Sequence, residues 1–361
     1  MVIDDMSMIT RGTIARIGYN RDMSAVFGIG NPLIDVVFRA TEKDLESLAL
    51  DKGIMHLVSR ERQSEILHHF REQEPQLRPG GSAPNTLLAL AGLGIPAVIC
   101  GKIGNDQFGM TYDNQVSAYG ITSRLVRGEG ATGSSIILVT PDGERTMNTH
   151  LGMCQEFGVD DLDEPLLRTS VAGGGFFYFT GYMWDTESQK KAIRRAIEVT
   201  RQAGGRVVFD VADPFAVERY RTDFLELLRN DVDVVFANRR EASLLFDESR
   251  EEELIRHLLE MVSLCAIKTG KEGSLVAQRA ASPGAHPSGE YLLERIPARP
   301  ITPRDTTGAG DMYAAGFLAG LARGETPRKC GEIAGFLAEE IIQHVGAQFD
   351  IADLRDVSSR L

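Results

Sequence analysis

Short runs of consecutive apolar residues alternate along this chain with longer stretches in which apolar positions recur at helical spacing. The short runs are typical of strands buried on both faces of a parallel sheet, and the longer stretches predict helices that pack over it. The most regular part predicts strands at 176–180, 206–210, 232–237 and 264–268, with helices at 187–203, 215–228, 240–246 and 251–262. Together with earlier apolar strands at 25–30 and 97–101, this order predicts an α/β fold with a doubly wound, mostly parallel sheet and helices on both faces.

A second pattern is alternation of apolar and polar residues at 132–140 and 144–149. The two segments flank Pro141-Asp142-Gly143 and predict a hairpin. With a strand at 36–39, they do not fit the strand–helix order, so we expect a small β-sheet lid formed from about 36–58 and 122–150. The core is expected to span 25–361. Residues 1–24 lack clear periodicity and are interpreted as an N-terminal extension.

Composition narrows the classes of function. The net charge is −12 and the pI about 5.2, with scattered cations, so we expect no nucleic-acid partner. The four cysteines show no paired spacing, and neither a signal peptide nor an apolar run of membrane-spanning length is visible. We therefore expect a reduced cytoplasmic protein without a membrane partner.

The stretch 305–311 reads Asp-Thr-Thr-Gly-Ala-Gly-Asp and precedes a long run of small and apolar residues. It predicts a capped helix start whose unpaired N–H groups attract an anion, and phosphate is the usual one. Asp311, in the first turn, would be placed to take a proton from a hydroxyl that attacks a phosphoryl group. The alternative is an ordinary capped helix with a Gly-rich entry.

Further candidates follow other predicted strands, where ligands bind in such sheets. They are Asp35, Asn238 and Lys268-Thr269-Gly270. A turn aspartate is the alternative for Asp35. A dinucleotide-binding interpretation of Gly28-Ile29-Gly30 fails because Leu33 replaces the third glycine and Pro32 interrupts the helix start. The segment from Gly80 to Asn85 predicts a close backbone approach to a ligand, with a Gly-rich loop before a helix as the alternative.

At these residues the sequence resembles the PfkB-type, ribokinase-like carbohydrate kinases, a family that includes adenosine kinase. Two signatures carry the resemblance: Gly80-Gly81-x-x-x-Asn85 and the stretch 305–311. Asn238-x-x-Glu241 matches the Asn-x-x-Glu element of the family, and Arg145 lies in a hairpin that matches its lid. A solvent-exposed arginine is the alternative at Arg145. The resemblance covers 25 to about 350, and it implies a ribokinase-like fold.

The resemblance also implies roles for these residues. Asp311 would be the catalytic base, and Gly308, Ala309 and Gly310 would form the anion hole. Substrate would be held by Asn31, Asp35, Gly80, Gly81, Ser82, Asn85 and Arg145. ATP would lie along Asn238, Lys268, Thr269, Gly270, Gly273, Thr306, Gly308, Gly310, Gly346 and Ala347. Mg²⁺ would be held by Asn238 and Glu241, indirectly through water.

The implied reaction is transfer of phosphate from ATP to a primary hydroxyl of a ribose-containing small molecule. The segment 30–35 looks more like the entry strand of adenosine kinases than that of ribokinase or fructokinase, so adenosine is the first candidate. A free sugar such as ribose or fructose is the second, and a nucleotide- or sugar-binding protein without catalysis is a lesser one. A requirement for K⁺, and the choice between monomer and homodimer, stay open.

Overall fold

The computed structural model describes residues 23–279 and 291–361, so the predicted extension 1–24 lies almost entirely outside the described residues. The strands are β1 (Val26–Ile29), β2 (Leu33–Arg39), β3 (Met55–Leu57), β4 (Gln76–Gly80), β5 (Ala97–Gly104), β6 (Thr122–Gly128), β7 (Gly133–Val139), β8 (Arg145–His150), β9 (Phe176–Thr180), β10 (Arg206–Asp210), β11 (Val234–Asn238), β12 (Leu264–Lys268), β13 (Ser274–Arg279) and β14 (Tyr291–Ile296). The α-helices are α1 (Glu42–Ser47), α2 (Arg60–His69), α3 (Ser82–Gly92), α4 (Gln107–Ser117), α5 (Glu164–Val171), α6 (Glu187–Gln202), α7 (Pro214–Asn230), α8 (Arg239–Phe246), α9 (Glu251–Met261), α10 (Ala309–Ala322), α11 (Pro327–Ile341) and α12 (Ile351–Ser359).

Within the described residues, nine strands form the large sheet, in the order β14-β13-β12-β11-β10-β9-β1-β5-β6. All neighbours from β12 to β6 pair in parallel, whereas β13 pairs antiparallel with both β12 and β14. Buried helices cover both faces, with α3, α10 and α11 on one side and α6, α7 and α9 on the other. The predicted doubly wound α/β architecture is confirmed.

In the part of the chain that the structure describes, the small sheet has five strands in the order β3-β8-β7-β2-β4. The predicted hairpin is present, since β7 and β8 pair antiparallel. The lid range that began at 122 is wrong at its start, because β6 pairs in parallel with β5 and belongs to the large sheet. Conversely, no strand is predicted at Gln76–Gly80, and this segment forms β4, which pairs with β2 at one edge of the small sheet.

The two faces of the small sheet have different surroundings. Ile34, Val36 and Phe38 point to one face and are buried with residues of α1 and α2. Asp35 alternates with them along β2, so it points to the opposite face. That opposite face is uncovered by α1 and α2 and looks toward the carboxyl edge of the large sheet, where the candidate site lies.

The position of α10 is fixed by close packing against α11. A Cβ on Gly316 would lie 2.7 Å from Ala334 Cα, and one on Gly320 would lie 2.8 Å from Cys330 Sγ, so only glycine allows this approach. Almost the whole helix is buried from Met312 onward. Its first turn is thereby held at the carboxyl edge of the sheet. None of the described helices combines the length and hydrophobicity needed to cross a bilayer.

Candidate functional site

The first turn of α10 offers backbone donors. Gly308 precedes the helix with φ +77°, and a Cβ there would lie 2.5 Å from the Ala347 carbonyl oxygen. The N–H of Ala309 makes a long 3.3 Å bond to the Thr306 carbonyl, whereas those of Gly308 and Gly310 have no backbone acceptor within the described ranges. Such unpaired N–H groups at the positive end of a helix dipole suit an anion.

Asp311 lies in the same turn and is held by the first turn of α3. Ser82 Oγ donates to Asp311 Oδ1 over 2.6 Å, and Asn85 Nδ2 donates to Oδ2 over 2.8 Å. Asn85 is itself fixed by Gln348, whose Nε2 donates to Asn85 Oδ1 over 2.6 Å. Ser82 and Asn85, expected to contact the substrate, thus use their side chains on the predicted base.

The environment of Asp311 raises the pKa of its carboxyl group toward neutrality. Burial raises the pKa of Asp311 to about 7, and the Asp210 carboxylate adds to the rise. The bonds from Ser82 and Asn85 and the nearby Lys268 ammonium oppose it. A base is most effective when its pKa lies near the working pH, so this carboxyl group is well suited to accept a hydroxyl proton.

Asp35 lies beside this turn, on β2. The pKa of Asp35 is raised to about 7, chiefly by burial and also by the Asp311 carboxylate, whereas Arg145 and Arg78 oppose the rise. A Cβ on Gly80 would lie 2.7 Å from Asp35 Oδ1, so the glycine makes room for the carboxyl group. Asp35 therefore offers carboxyl oxygens within the electrostatic reach of Asp311, as an acceptor for ligand hydroxyls would need.

Gly81 and Asn31 shape the same corner. Gly81 has φ +100°, and a Cβ there would lie 2.1 Å from the Asn31 carbonyl oxygen, so no other residue fits without backbone movement. Asn31 Nδ2 donates to the Tyr182 carbonyl over 3.2 Å, and Gln189 Nε2 donates to Asn31 Oδ1 over 2.8 Å. Asn31, expected to face the substrate, is buried with both polar atoms bonded to protein.

We call residues 308–311, at the start of α10, the anion-binding turn, after the role predicted for them. An ion pair borders this turn. Lys268 Nζ lies 3.1 Å from both carboxylate oxygens of Asp210, and 3.5 Å from where a Cβ on Gly310 would be. Burial lowers the pKa of Lys268, but Asp210 and Glu241 outweigh it and hold the pKa above its ordinary value. A permanently charged ammonium beside Gly310 can bind an anion that reaches the helix start.

Asn238 and Glu241 form a reciprocal cap at the start of α8. Asn238 N donates to Glu241 Oε2 over 2.7 Å, Asn238 Nδ2 donates to Oε1 over 2.5 Å, and Glu241 N donates to Asn238 Oδ1 over 2.8 Å. Burial raises the pKa of Glu241 to about 7. The side chain of Asn238 is occupied by this cap, whereas Glu241 carries a carboxylate near Lys268 and Asp210.

The loop after β12 was predicted to follow the nucleotide. Thr269 N donates to the Gly273 carbonyl over 2.8 Å, and Gly270 has φ +64°. Gly273 has φ +98°, and a Cβ there would lie 1.9 Å from the Ile296 carbonyl oxygen. Beside this loop is a cavity of about 340 Å³ that is lined by Glu251, Thr269, Glu272, Ser274, Leu275, Arg295 and Pro297.

Arg145 and Gly346, in the segment after α11, both donate to Asp305. Arg145 Nη1 donates to Asp305 Oδ2 over 2.5 Å, and Gly346 N donates to the same oxygen over 2.8 Å. The side chain of Arg145 is only 11% exposed, so the alternative of a solvent-exposed arginine is wrong. Gly346 and Ala347 support the anion-binding turn, while Thr306 is exposed beside it.

The uncovered face of the small sheet also carries apolar side chains. Leu57 pairs with Thr149, Met55 pairs with Met147, and these positions share the face of Asp35 through the register across β8, β7 and β2. Met55 is 42% exposed and Leu57 53% exposed. These residues were not predicted, because a short strand gives too little alternation to reveal which face it presents.

Three residues that hold predicted site residues in place were missed as well. Gln348, Asp210 and Asp305 each contact a predicted site residue through a side-chain bond. Asp210 and Asp305 could have been found, because each lies at a predicted strand end or in the signature stretch. Gln348 stands in an irregular segment, and no local signal points to it.

Comparison with known proteins agrees with the geometry. The model of the pfkB family of carbohydrate kinases matches residues 46–354. A solved structure of adenosine kinase from Sinorhizobium meliloti superposes with a TM-score of 0.80 at 34% identity, covering 94% of this chain and 99% of that one. A probable sugar kinase from Rhizobium etli gives 0.81 at 31% identity, covering 94% and 98%.

Fructokinase from Klebsiella pneumoniae is 25% identical over 72% of this chain and 82% of its own length. These relatives carry both nucleoside and sugar kinase names, so their names do not fix the acceptor. The two sheets, the helix-start signature and the match over most of the sequence agree on the family and on the ribokinase-like α/β fold. The chain belongs to the pfkB family of carbohydrate kinases and is a kinase.

Proposed function

We propose that this kinase transfers the γ-phosphoryl group of ATP to the primary hydroxyl of a nucleoside, with adenosine as the first candidate. Asp35 would accept hydrogen bonds from the ribose hydroxyls and hold the primary hydroxyl toward Asp311. The hydroxyl oxygen would form a bond to the γ-phosphorus while the bond to the leaving oxygen breaks and ADP departs with the electron pair. Asp311 would take the hydroxyl proton.

The backbone donors and Lys268 would stabilise the phosphoryl group during its transfer. The N–H groups of Gly308 and Gly310 and the Lys268 ammonium would bind its oxygens, where negative charge is spread in the transition state. The loop from Thr269 to Gly273 would support the nucleotide. The small sheet would cover the acceptor and exclude water, which would otherwise compete for the phosphoryl group.

The residues present fit Mg²⁺ bound mainly through water and phosphate. No cluster of three or more His, Cys, Asp or Glu side chains occurs among the described residues, as an all-protein metal cage would need. Mg²⁺ commonly uses one or two carboxylates with several waters, and Glu241 and Asp210 supply two at the correct edge. When bound, the ion would neutralise phosphate charge. Asn238, occupied by Glu241, would act by positioning that carboxylate.

The apolar face of the small sheet is the observation that favours a nucleoside over a free sugar. A sugar presents hydroxyls around its whole ring, whereas a nucleoside adds a flat, largely apolar base. Met55, Leu57 and Met147 lie on the face that carries Asp35, so a ribose at Asp35 would direct its base toward apolar side chains. Burying such surface stabilises binding by roughly 25 cal/mol per Å².

The test is ATP-dependent phosphorylation of adenosine, inosine, guanosine, ribose and fructose with Mg²⁺. We expect adenosine to give the highest kcat/KM. Replacing Leu57 with Ser should raise the KM for adenosine about fivefold, because losing part of a leucine contact costs about 1 kcal/mol. Leu292→Ser, at a leucine that is 64% exposed on β14, is the matched control and should leave that KM unchanged.

The second candidate is a free-sugar kinase, favoured by the sugar kinase names among the relatives. A preference for ribose or fructose that Leu57→Ser does not alter would establish it and exclude the base-binding role of the apolar face. Such a result would leave Asp311 and the anion-binding turn in their roles. We place the reaction in the cytoplasm, since all four cysteines are buried and unpaired, as suits a reducing compartment.

A further inference from the structure

Asp305 joins three separate segments through one carboxylate. Oδ1 accepts from Thr307 N over 2.9 Å, immediately before the anion-binding turn. Oδ2 accepts from Gly346 N over 2.8 Å, in the segment after α11, and from Arg145 Nη1 over 2.5 Å, on β8 of the small sheet. The side chain of Asp305 is 8% exposed and that of Arg145 is 11% exposed, so water screens this contact little.

Arg145 reaches Asp305 from a defined position on the small sheet. Its register partner is Val139, which places Arg145 on the face of the small sheet that carries Asp35. Arg145 Nε is buried and has no hydrogen-bond partner in the described part of the chain. Asp305 forms the salt bridge with this mostly buried guanidinium, whose charge also acts on Asp35. Separating Asp305 from Arg145 would remove the bonded partner of each charge.

The other two bonds shape the anion-binding turn. Thr307 N is fixed directly by Asp305, one residue before Gly308. The Gly346 bond holds the segment whose next residue, Ala347, lies against Gly308 at a distance that excludes a Cβ. Displacement of Asp305 would release the turn on both sides, and the N–H groups of Gly308 and Gly310 would lose their common direction.

We propose that Asp305 is a positioning residue that couples docking of the small sheet, through Arg145, to the alignment of the anion-binding N–H groups. The anion site is then complete only when the small sheet covers the acceptor. This coupling makes phosphoryl transfer to water slower than transfer to a bound hydroxyl. The proposal rests on kinase activity, and it is independent of which acceptor is used.

The test is a double-mutant cycle of Asp305→Asn and Arg145→Met, measured with an acceptor that the unmodified protein phosphorylates. Each single variant should lower kcat about 10²-fold, because small misplacement of binding groups costs that much. The kcat of the double variant should be no lower than that of the less active single variant, since the two residues act as one unit. ATP hydrolysis per acceptor phosphorylated should rise in all three.

A readout that needs no turnover separates this proposal from the choice of function. Hydrogen–deuterium exchange of 305–312 should quicken in Arg145→Met, although the substituted residue lies on β8 of the small sheet. Glu164→Gln is the control: it breaks a two-bond pair with Arg195, at 2.6 and 2.8 Å, between α5 and α6. Arg145→Lys should restore part of the protection. Unchanged exchange in Arg145→Met, or additive losses in the cycle, would overturn the coupling.

Discussion

Replacing Asp311 with asparagine should separate catalysis from stability, because the native carboxyl group is placed where its charge is unfavourable. The substitution keeps the shape of the side chain. The Ser82 hydroxyl can still donate to an amide oxygen, but asparagine cannot accept a proton from the attacking hydroxyl. We expect kcat to fall by about 10²- to 10⁴-fold, the usual contribution of a general base. Binding of ADP should be retained, because the backbone donors are unchanged.

The effect on stability follows from the pKa of Asp311. Burial raises it from an ordinary value near 4 to about 7. The folded protein thus binds this proton more tightly than the unfolded chain does, and the free energy of unfolding falls as the pH rises from about 4 through 7. Three pKa units correspond to a loss of at most about 4 kcal/mol in the free energy of unfolding. This loss is complete only above pH 7.

Asparagine does not titrate, so the variant escapes this penalty. It loses one good hydrogen bond, since the Asn85 amide no longer faces a carboxylate, and that costs about 1 kcal/mol. The variant should therefore unfold at higher urea concentration than the unmodified protein at pH 8 and at equal or lower concentration at pH 4.5. Activity and stability should change in opposite directions at pH 8.

The assay pairs urea unfolding at both pH values with turnover under saturating substrates at pH 8. Asp356→Asn is a suitable control, because that carboxylate is 72% exposed near the end of the chain. It should alter neither quantity. Turnover within a few-fold of normal in Asp311→Asn would refute the base. An equal stability change at both pH values would refute the argument from the buried charge.

Three further predictions use the same assays. Ser82→Ala removes a bond that lowers the pKa of Asp311, so the acid limb of the kcat–pH profile, near pH 7, should move up by about one unit; an unmoved limb would mean that another group titrates there. Gly81→Ala should abolish soluble expression or activity, because its Cβ would lie 2.1 Å from the Asn31 carbonyl oxygen, whereas Gly94→Ala, which meets nothing within 4 Å, tests the effect of a positive φ alone. Exchanging K⁺ for tetramethylammonium should change turnover less than twofold, because the Asp305 carboxylate beside the anion-binding turn is already paired with Arg145 and needs no added cation. A larger loss would contradict that reasoning.

The strands of the large sheet could be predicted because each carries its own signal. A strand such as β9 or β12 is buried on both faces, so its apolar run is visible without knowledge of its neighbours. The strands β4 and β6 are edge strands, and there the signal is weak. Pro79 is tolerated at such an edge, and Arg124 and Arg127 can project into solvent, so both segments resemble loops.

The candidate site shows a sharper limit. A motif records which residue type stands at a position but not which atom its side chain contacts. Ser82 and Asn85 have the chemistry of substrate ligands, yet their donors point to Asp311, more than 220 residues away in sequence. Only the packing of α3 against α10 brings the two helix starts together. The first signature therefore serves the second by holding Asp311, and the proposed ligand contacts fall to Asp35 and the backbone donors instead. Separate substitution of Ser82 and Asp35 should accordingly shift different quantities, the pH dependence of kcat for Ser82 and the acceptor KM for Asp35.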